Sequence, residues 1–178
     1  MNSSILPLLK QNNMESLPNL RTEFGQEYET TKKFFDVYPE DKNEYRPHEK
    51  SMKMILLATH IAEIFGWPEI IMKTDKLDFA AGDYQPTFLN SKAELQKKLD
   101  DDYQKTKQTL DNTSEEELSG RWSMNMGEKV LAEYTKYSAM RHALNQITHH
   151  RAQLGVYYRL NDIPVSGSYG PSADEENF

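Results

Sequence analysis

The sequence predicts an all-α protein, a four-helix bundle with long connections, in a single domain that spans residues 1–178. Three observations predict this class. Four long stretches carry apolar residues at the spacing of a helix face, and polar, turn-rich segments join them. No alternating run is long enough to predict a sheet. The segments at about 1–12 and 165–178 are expected to be less regular, and 178 residues can bury a core without disulfides.

The first helix is predicted from about Ser16 to Val37. Its candidate core positions are Leu20, Phe24, Tyr28 and Phe35, which recur at helical spacing.

The second helix is predicted to begin with Ser51 as its N-cap, because serine side chains accept hydrogen bonds from the first free backbone N–H groups. Its wide apolar face consists of Met54, Leu57, Ala58, Ile61, Ala62, Ile64 and Phe65. His60 lies near that face and Glu63 follows it by three residues. The run Gly66-Trp67-Pro68 predicts a kink or a short break, after which the helix continues to about Thr74.

Residues Asp75 to Thr87 are rich in turn-forming types and are expected to be an exposed connection. Asn90 or Ser91 is the predicted cap of a third, strongly amphipathic helix. The stripe on that helix is Leu95, Leu99, Tyr103, Thr106 and Leu110. A short helical turn is predicted over Ser114 to Leu118.

Residues 120–127 are compatible with either a short strand-like segment or an irregular loop. The fourth long helix is predicted from about Glu128 to Leu160, and Pro164 stops the chain from continuing as a helix. The tail that follows is rich in Gly, Ser and Pro, so we expect it to be extended and partly mobile.

Composition excludes several classes of function. The net charge is −7, from 21 basic and 28 acidic residues, and no basic footprint predicts nucleic-acid binding. No apolar run approaches the roughly 20 residues of a membrane span, and Met1 to Ser4 do not begin a signal peptide, so a cytoplasmic protein with no membrane or nucleic-acid partner is expected. The chain has no cysteine, so any metal must be held by His, Asp, Glu or amide oxygen.

Three of the five histidines fall within nine residues of the fourth helix: His142, His149 and His150. Residues four apart share a helix face, so His150 lies beneath Gln146. His142 is about 12 Å from His150 along the axis by the 1.5 Å rise, too far for both to bind one ion. His149 faces elsewhere, which favours a surface or hydrogen-bonding role.

The run HHRAQLGVYYRLNDIP, from His149 to Pro164, and the run SYGPSADE, from Ser168 to Glu175, carry a specific resemblance. With a weaker match over Ser51 to Glu63, the chain resembles the DinB/YfiT-like family of four-helix-bundle proteins, to which metal-dependent enzymes are assigned. The resemblance covers most of the chain.

In that family three histidines typically bind a divalent transition metal ion, one from the second helix and two from an HxxxH pair on the last helix. Carried over residue by residue, the resemblance implies the metal ligands His60, Gln146 and His150. Gln146 stands where the family has a histidine, and its amide oxygen is a weaker ligand for such metals than imidazole. Zinc, nickel, iron and manganese all remain possible.

The alternative for His60 and His150 is that they are hydrogen-bonded histidines lining a packed interior, and for Gln146 an inward amide bonded to a neighbouring helix. Glu63 could accept a hydrogen bond from a metal-bound imidazole, but we expect it to be a surface carboxylate. Arg151 and Gln153 are predicted to anchor the tail to the last helix.

Two functions follow. The resemblance implies an enzyme that transfers a low-molecular-weight thiol, such as bacillithiol or mycothiol, to an electrophile or uses it in an isomerisation. Since the chain lacks cysteine, that thiol would be a cosubstrate. The alternative, which Gln146 favours, is a non-catalytic, stress-associated homodimer with a vestigial metal or small-ligand pocket.

Overall fold

The computed structural model describes residues 16–175. Its α-helices are α1 (Ser16–Asp36), α2 (Met54–Ile64), α3 (Trp67–Lys73), α4 (Lys92–Asp111) and α5 (Lys136–Arg159). Its strands are β1 (Lys76–Asp78), β2 (Arg121–Met126) and β3 (Lys129–Thr135), and single 3₁₀ turns cover Glu40–Lys42 and Glu116–Ser119. The expectation for residues 1–12 falls outside the described part of the chain.

The molecule is mostly helical, as predicted, and it also contains a small sheet that an all-α class leaves out. Helices α1 and α2 each pack against both α4 and α5, while α3 packs on α4 and α5. The sheet has the order β1-β2-β3, with β1 parallel to β2 and β2 antiparallel to β3. Its register places Trp122 opposite Tyr134, with an irregularity between Met124 and Asn125.

The predicted start of the last helix at Glu128 is wrong, because residues 129–135 form β3. Gly127, at φ 62, supplies the left-handed conformation that the tight turn between β2 and β3 requires. Val130 and Tyr134 favour a strand, and their backbone pairs with β2. Thr135 then caps α5 by accepting a hydrogen bond from Ser138 N.

Helix α2 begins at Met54 rather than at the predicted Ser51 cap. Its first free N–H groups are satisfied by backbone carbonyl groups of the preceding turn, since Met54 N donates to Tyr45 O and Ile55 N to Asn43 O. Ser51 is therefore not needed as a cap. The predicted break at Gly66-Trp67-Pro68 is confirmed, because α2 and α3 are separate helices bent by 45°.

Helix α4 begins as predicted, with a capping box between Ser91 and Glu94. Four of the five predicted stripe residues are buried, and Tyr103 is half-buried, stacked on Tyr28 at 4.1 Å between ring centroids. In α1 the predicted core residues Leu20, Phe24 and Phe35 are buried, whereas Tyr28 is not.

The predicted exposed connection over 75–87 contains β1, whose Leu77 and Asp78 are buried. The Asp78 carboxylate accepts hydrogen bonds from the backbone N–H groups of Ala80 and Gly127. These bonds join the 75–87 segment to the β2–β3 turn. Within residues 16–175 no single helix is long and apolar enough to cross a membrane; α2 and α3 meet the length and composition test only as a bent pair.

Candidate functional site

Helices α2 and α5 bring His60 and His150 together, as the resemblance implied. The centroids of the two imidazole rings are 4.8 Å apart and the ring planes are inclined at 72°. His60 lies at the edge of the apolar face of α2, between the buried Thr59 and Ile61, and its side chain is 25% exposed. The pair therefore lies at a half-buried position on the contact between the two helices.

Each imidazole has a polar partner near its Nδ1 atom. His150 Nδ1 is 2.9 Å from Gln153 Oε1, which favours the tautomer that carries its proton on Nδ1 and leaves Nε2 free. His60 Nδ1 is 4.0 Å from Glu63 Oε2. Metal-bound histidines commonly donate their second N–H to such an acceptor, so both rings have a partner suited to coordination through Nε2.

The two rings favour the uncharged form that a metal ligand needs. Burial is the main cause that lowers the pKa of His60, and the neighbouring His150 lowers it further while Glu63 opposes the shift. Burial likewise lowers the pKa of His150, against the hydrogen bond with Gln153. Neutral imidazoles bind cations without a competing proton.

Gln146 lies one turn before His150 and is partly exposed. Its side-chain amide makes no hydrogen bond within residues 16–175, so the alternative of an amide bonded to a neighbouring helix is not supported. In the same part of the chain no group of three His, Cys, Asp or Glu side chains lies close enough to hold a metal ion. By helical spacing Gln146 shares a face of α5 with His150, so the candidate donors are two imidazoles and one amide oxygen, the set that the resemblance implied.

The remaining two histidines of α5 lie around the pair. The His142 ring is 6.4 Å from that of Trp67 and 5.4 Å from that of Tyr134, between ring centroids. The Trp67 ring is in turn 6.4 Å from His60. His149 is exposed, with its ring 4.9 Å from that of His150. Tyr134 belongs to the unpredicted strand β3, so sequence reasoning did not place it here.

Two neighbouring predictions are wrong. Glu63 is a buried carboxylate rather than a surface one, at 9% exposure, and it accepts hydrogen bonds from Tyr84 Oη at 2.9 Å and Thr87 N at 2.7 Å. Burial raises the pKa of the Tyr84 hydroxyl, and its hydrogen bond with the Glu63 carboxylate raises it further. Gln153 bonds His150 and not the tail. The carboxylate and the loop that meets it had no recognisable signal in the sequence.

Arg151, in contrast, does contact the tail as predicted. It is 2% exposed, and its Nη1 atom lies 2.5 Å from Glu27 Oε2 and 3.1 Å from Thr31 Oγ1. The Tyr169 hydroxyl bonds Glu27 Oε1 and lies 3.5 Å from Arg151 Nη2. Glu27 Oε2 has no well-aligned hydrogen bond, so its contact with Arg151 is mainly between charges.

The tail has no helix or strand over residues 165–175, as expected, but it is fastened at several points. Arg159 pairs with Asp174 at 2.5 Å, and Lys33 pairs with Glu175 at 3.0 Å. A cavity of about 650 Å³ lies between α1 and the tail, away from the histidine pair. The tail's own Tyr169 borders this cavity, as does Glu27, which pairs with Arg151.

Comparison with known proteins gives matches by structure. No protein-family model matches the sequence, and no curated protein matches it either. The DinB-like protein YjoA of Bacillus subtilis superposes with a TM-score of 0.65 at 19% identity, over 90% of this chain and 99% of that one.

Two further solved structures agree. A DinB-like protein from Bacillus cereus gives a TM-score of 0.63 at 16% identity, over 84% of this chain and 95% of that one. A protein described as a candidate member of the DinB family from Exiguobacterium sibiricum gives 0.61 at 18% identity, over 82% and 91%. The chain therefore has the fold of the DinB-like proteins, as the resemblance of its sequence implied.

Proposed function

We propose that the protein is a DinB-family metal-binding enzyme in which His60 and His150, with Gln146, hold a divalent transition metal ion. On this proposal α1, α2, α4 and α5 constitute the family's four-helix bundle. The observation that carries it is the approach of two imidazole rings to 4.8 Å between centroids across the α2–α5 contact. A polar acceptor beside the Nδ1 atom of each ring supports the same conclusion.

The proposed reaction transfers a low-molecular-weight thiol to an electrophile. A metal ion held by His60, His150 and Gln146 would supply acidity, because coordination lowers the pKa of a thiol. The thiol sulfur then forms the new bond to the electrophilic carbon, the leaving group departs with its bonding electrons, and the thiol proton passes to solvent. Since the sequence has no cysteine, the sulfur comes from a cosubstrate.

This chain's own residues have three tasks in that reaction. His60 and His150 bind through Nε2 and stay uncharged because they are partly buried. Gln153 orients the His150 ring through its Nδ1 atom. Gln146 offers an oxygen as third ligand or hydrogen-bonds a water molecule in that position.

The second candidate function is a non-catalytic, stress-associated homodimer with a vestigial metal or small-ligand pocket. Gln146 favours it, because an amide is a poorer transition-metal ligand than the imidazole it replaces. The absence of a three-member His, Cys, Asp or Glu group from residues 16–175 points the same way. We propose that the protein is a cytoplasmic homodimer in either case. Light scattering on the purified protein tests the dimer.

Metal content separates the two functions. Protein purified without a nickel column is incubated with an excess of zinc, nickel, iron or manganese, desalted and analysed by elemental mass spectrometry, as wild type, His60→Ala and His149→Ala. The enzyme proposal expects stoichiometric metal in wild type and in the His149→Ala control, and loss in His60→Ala. No retained metal in wild type overturns it; retained metal leads to a screen of thiol cosubstrates against a generic electrophile.

A further inference from the structure

Glu63 is a buried carboxylate whose surroundings are unusual for a structural acid. It lies on α2 at 9% exposure, and no Lys or Arg pairs with it within residues 16–175. Burying a carboxylate is costly unless it is hydrogen-bonded. Its two hydrogen-bond donors, Tyr84 Oη and Thr87 N, both come from one loop, and His60 Nδ1 lies 4.0 Å from its Oε2.

That loop runs from Phe79 to Ser91 between β1 and α4, and after a turn at its start it has no helix or strand. Irregular connections of this length inside a compact domain are uncommon, and they are usually either functional, as lids or binding loops, or disordered. Its Tyr84 ring packs against Phe79, while Phe88 is 77% exposed. The loop is therefore fastened to the domain beside His60 and exposes an aromatic side chain next to the fastening point.

The geometry allows one oxygen to serve both neighbours. Glu63 Oε2 accepts the Tyr84 hydroxyl at 2.9 Å and lies 4.0 Å from His60 Nδ1. A carboxylate oxygen can accept two hydrogen bonds, so a shift of about 1 Å would let it accept the His60 N–H without releasing Tyr84. An imidazole that binds through Nε2 always carries its proton on Nδ1 and needs such an acceptor.

We propose that Glu63 is a positioning residue that couples His60 to the 79–91 loop: Tyr84 and Thr87 aim its carboxylate at His60 Nδ1, and a ligated His60 in turn tightens the loop. This inference rests on the proposed metal role of His60. Because coupling between two equilibria is reciprocal, whatever loosens the loop weakens metal binding by the factor with which metal binding stabilises the loop.

The first test measures cobalt affinity by equilibrium dialysis for wild type, Glu63→Gln, Tyr84→Phe and the control Tyr28→Phe. Tyr28 also donates its hydroxyl to a carboxylate, Asp100, but lies on α1 away from the site. We expect Glu63→Gln to bind cobalt about 10–100-fold more weakly, as outer-shell substitutions do, and Tyr84→Phe to shift in the same direction by less. The control should match wild type.

The second test follows the loop itself by chymotrypsin cleavage, for which Phe79, Tyr84 and Phe88 are sites. Cobalt should slow cleavage of the wild-type loop. Without cobalt, Tyr84→Phe should be cleaved at Phe88 faster than wild type. Cobalt should protect this variant less than it protects wild type. The His60→Ala variant lacks a proposed metal ligand, so any effect of cobalt on its cleavage comes from an effect of cobalt on the protease.

The outcomes separate this inference from the proposed function. If wild type binds cobalt but Tyr84→Phe binds it equally or more tightly, or if cobalt leaves loop cleavage unchanged, the coupling is overturned and the metal site stands. If wild type binds neither cobalt nor zinc, nickel, iron or manganese, both are overturned.

Discussion

His150 and Arg151 are neighbours on α5, yet they point into opposite kinds of surroundings. Arg151 is 2% exposed and is bonded by Glu27, Thr31 and Tyr169 on the α1 and tail side. His150 is half-buried, and one hydrogen bond, to Gln153, leaves its second nitrogen without a protein partner within residues 16–175. In the first arrangement the buried charged groups contact each other, whereas in the second one ring nitrogen has no partner in the described part of the chain.

Arg151 and His150 differ in what their surroundings allow them to do. A buried charge is stable only when the protein supplies a partner for it. A buried charged group that contacts its partner therefore indicates a role in stability. A half-open imidazole without a full set of partners can take a ligand, at the cost of little stability. The two sides of α5 should therefore respond oppositely to substitution.

The largest expected effect is on stability, from Arg151→Ala. Removing the guanidinium leaves Glu27 buried without its charge partner, which should lower the free energy of unfolding by about 3–5 kcal/mol. Urea denaturation at pH 7 measures it. The matched control is Arg121→Ala, whose pair with Glu133 is exposed at 83% and 60%, so a change of less than about 1 kcal/mol is expected.

The metal affinity of Arg151→Ala tests whether the two sides of α5 are independent of each other. At a temperature where the variant is still folded, its metal affinity should equal that of wild type, because the guanidinium faces away from the histidine pair. Unchanged stability would show that the network with Tyr169 does not hold the tail.

The next effect is on metal binding, from His150→Ala. Losing one of two imidazoles should weaken affinity by more than the roughly 10–100-fold that outer-shell substitutions cost, while stability changes little because the ring is half-exposed. Calorimetric titration with zinc measures the affinity. His149→Ala is the matched control one residue away, and equal losses in both variants would contradict the assignment.

A gain is expected from Gln146→His. The substitution places a third imidazole one turn before His150, and imidazole suits transition metals better than an amide oxygen does. We expect zinc affinity to rise by about tenfold, or ~1.4 kcal/mol. Competition with a chelating dye measures it; unchanged affinity would mean that position 146 does not face the ion.

The smallest effect is the pH dependence of the tail. Hydrogen bonds from Arg159 and Lys33 are the largest causes that hold the pKa of Asp174 and of Glu175 below their usual range. Because these pKa values are depressed on folding, the stability they contribute is present above the unfolded pKa of about 4 and is lost as pH falls through the folded values.

Urea midpoints between pH 6 and pH 3 check this dependence. The double variant Asp174→Asn, Glu175→Gln should show a shallower decline on acidification than wild type. Equal slopes would mean that these two ion pairs add nothing to the stability of the tail.

Periodicity and capping chemistry within the sequence were enough to predict α1, α4 and the break between α2 and α3. Those elements depend on local signals: the apolar stripe from Leu95 to Leu110, the Ser91–Glu94 capping box, and the Gly66-Trp67-Pro68 run. The resemblance added the fold type and the residues His60, Gln146 and His150. That these side chains bind a metal stays a prediction.

Tertiary structure decided the rest, because the deciding interactions join residues distant in sequence. Strand β3 exists because it pairs with β2, and residues 129–135 alone are compatible with a helix. The α2–α5 contact sets the approach of His60 to His150. Likewise the burial of Glu63 depends on Tyr84 and Thr87, more than twenty residues along the chain, so no local pattern could distinguish it from a surface acid.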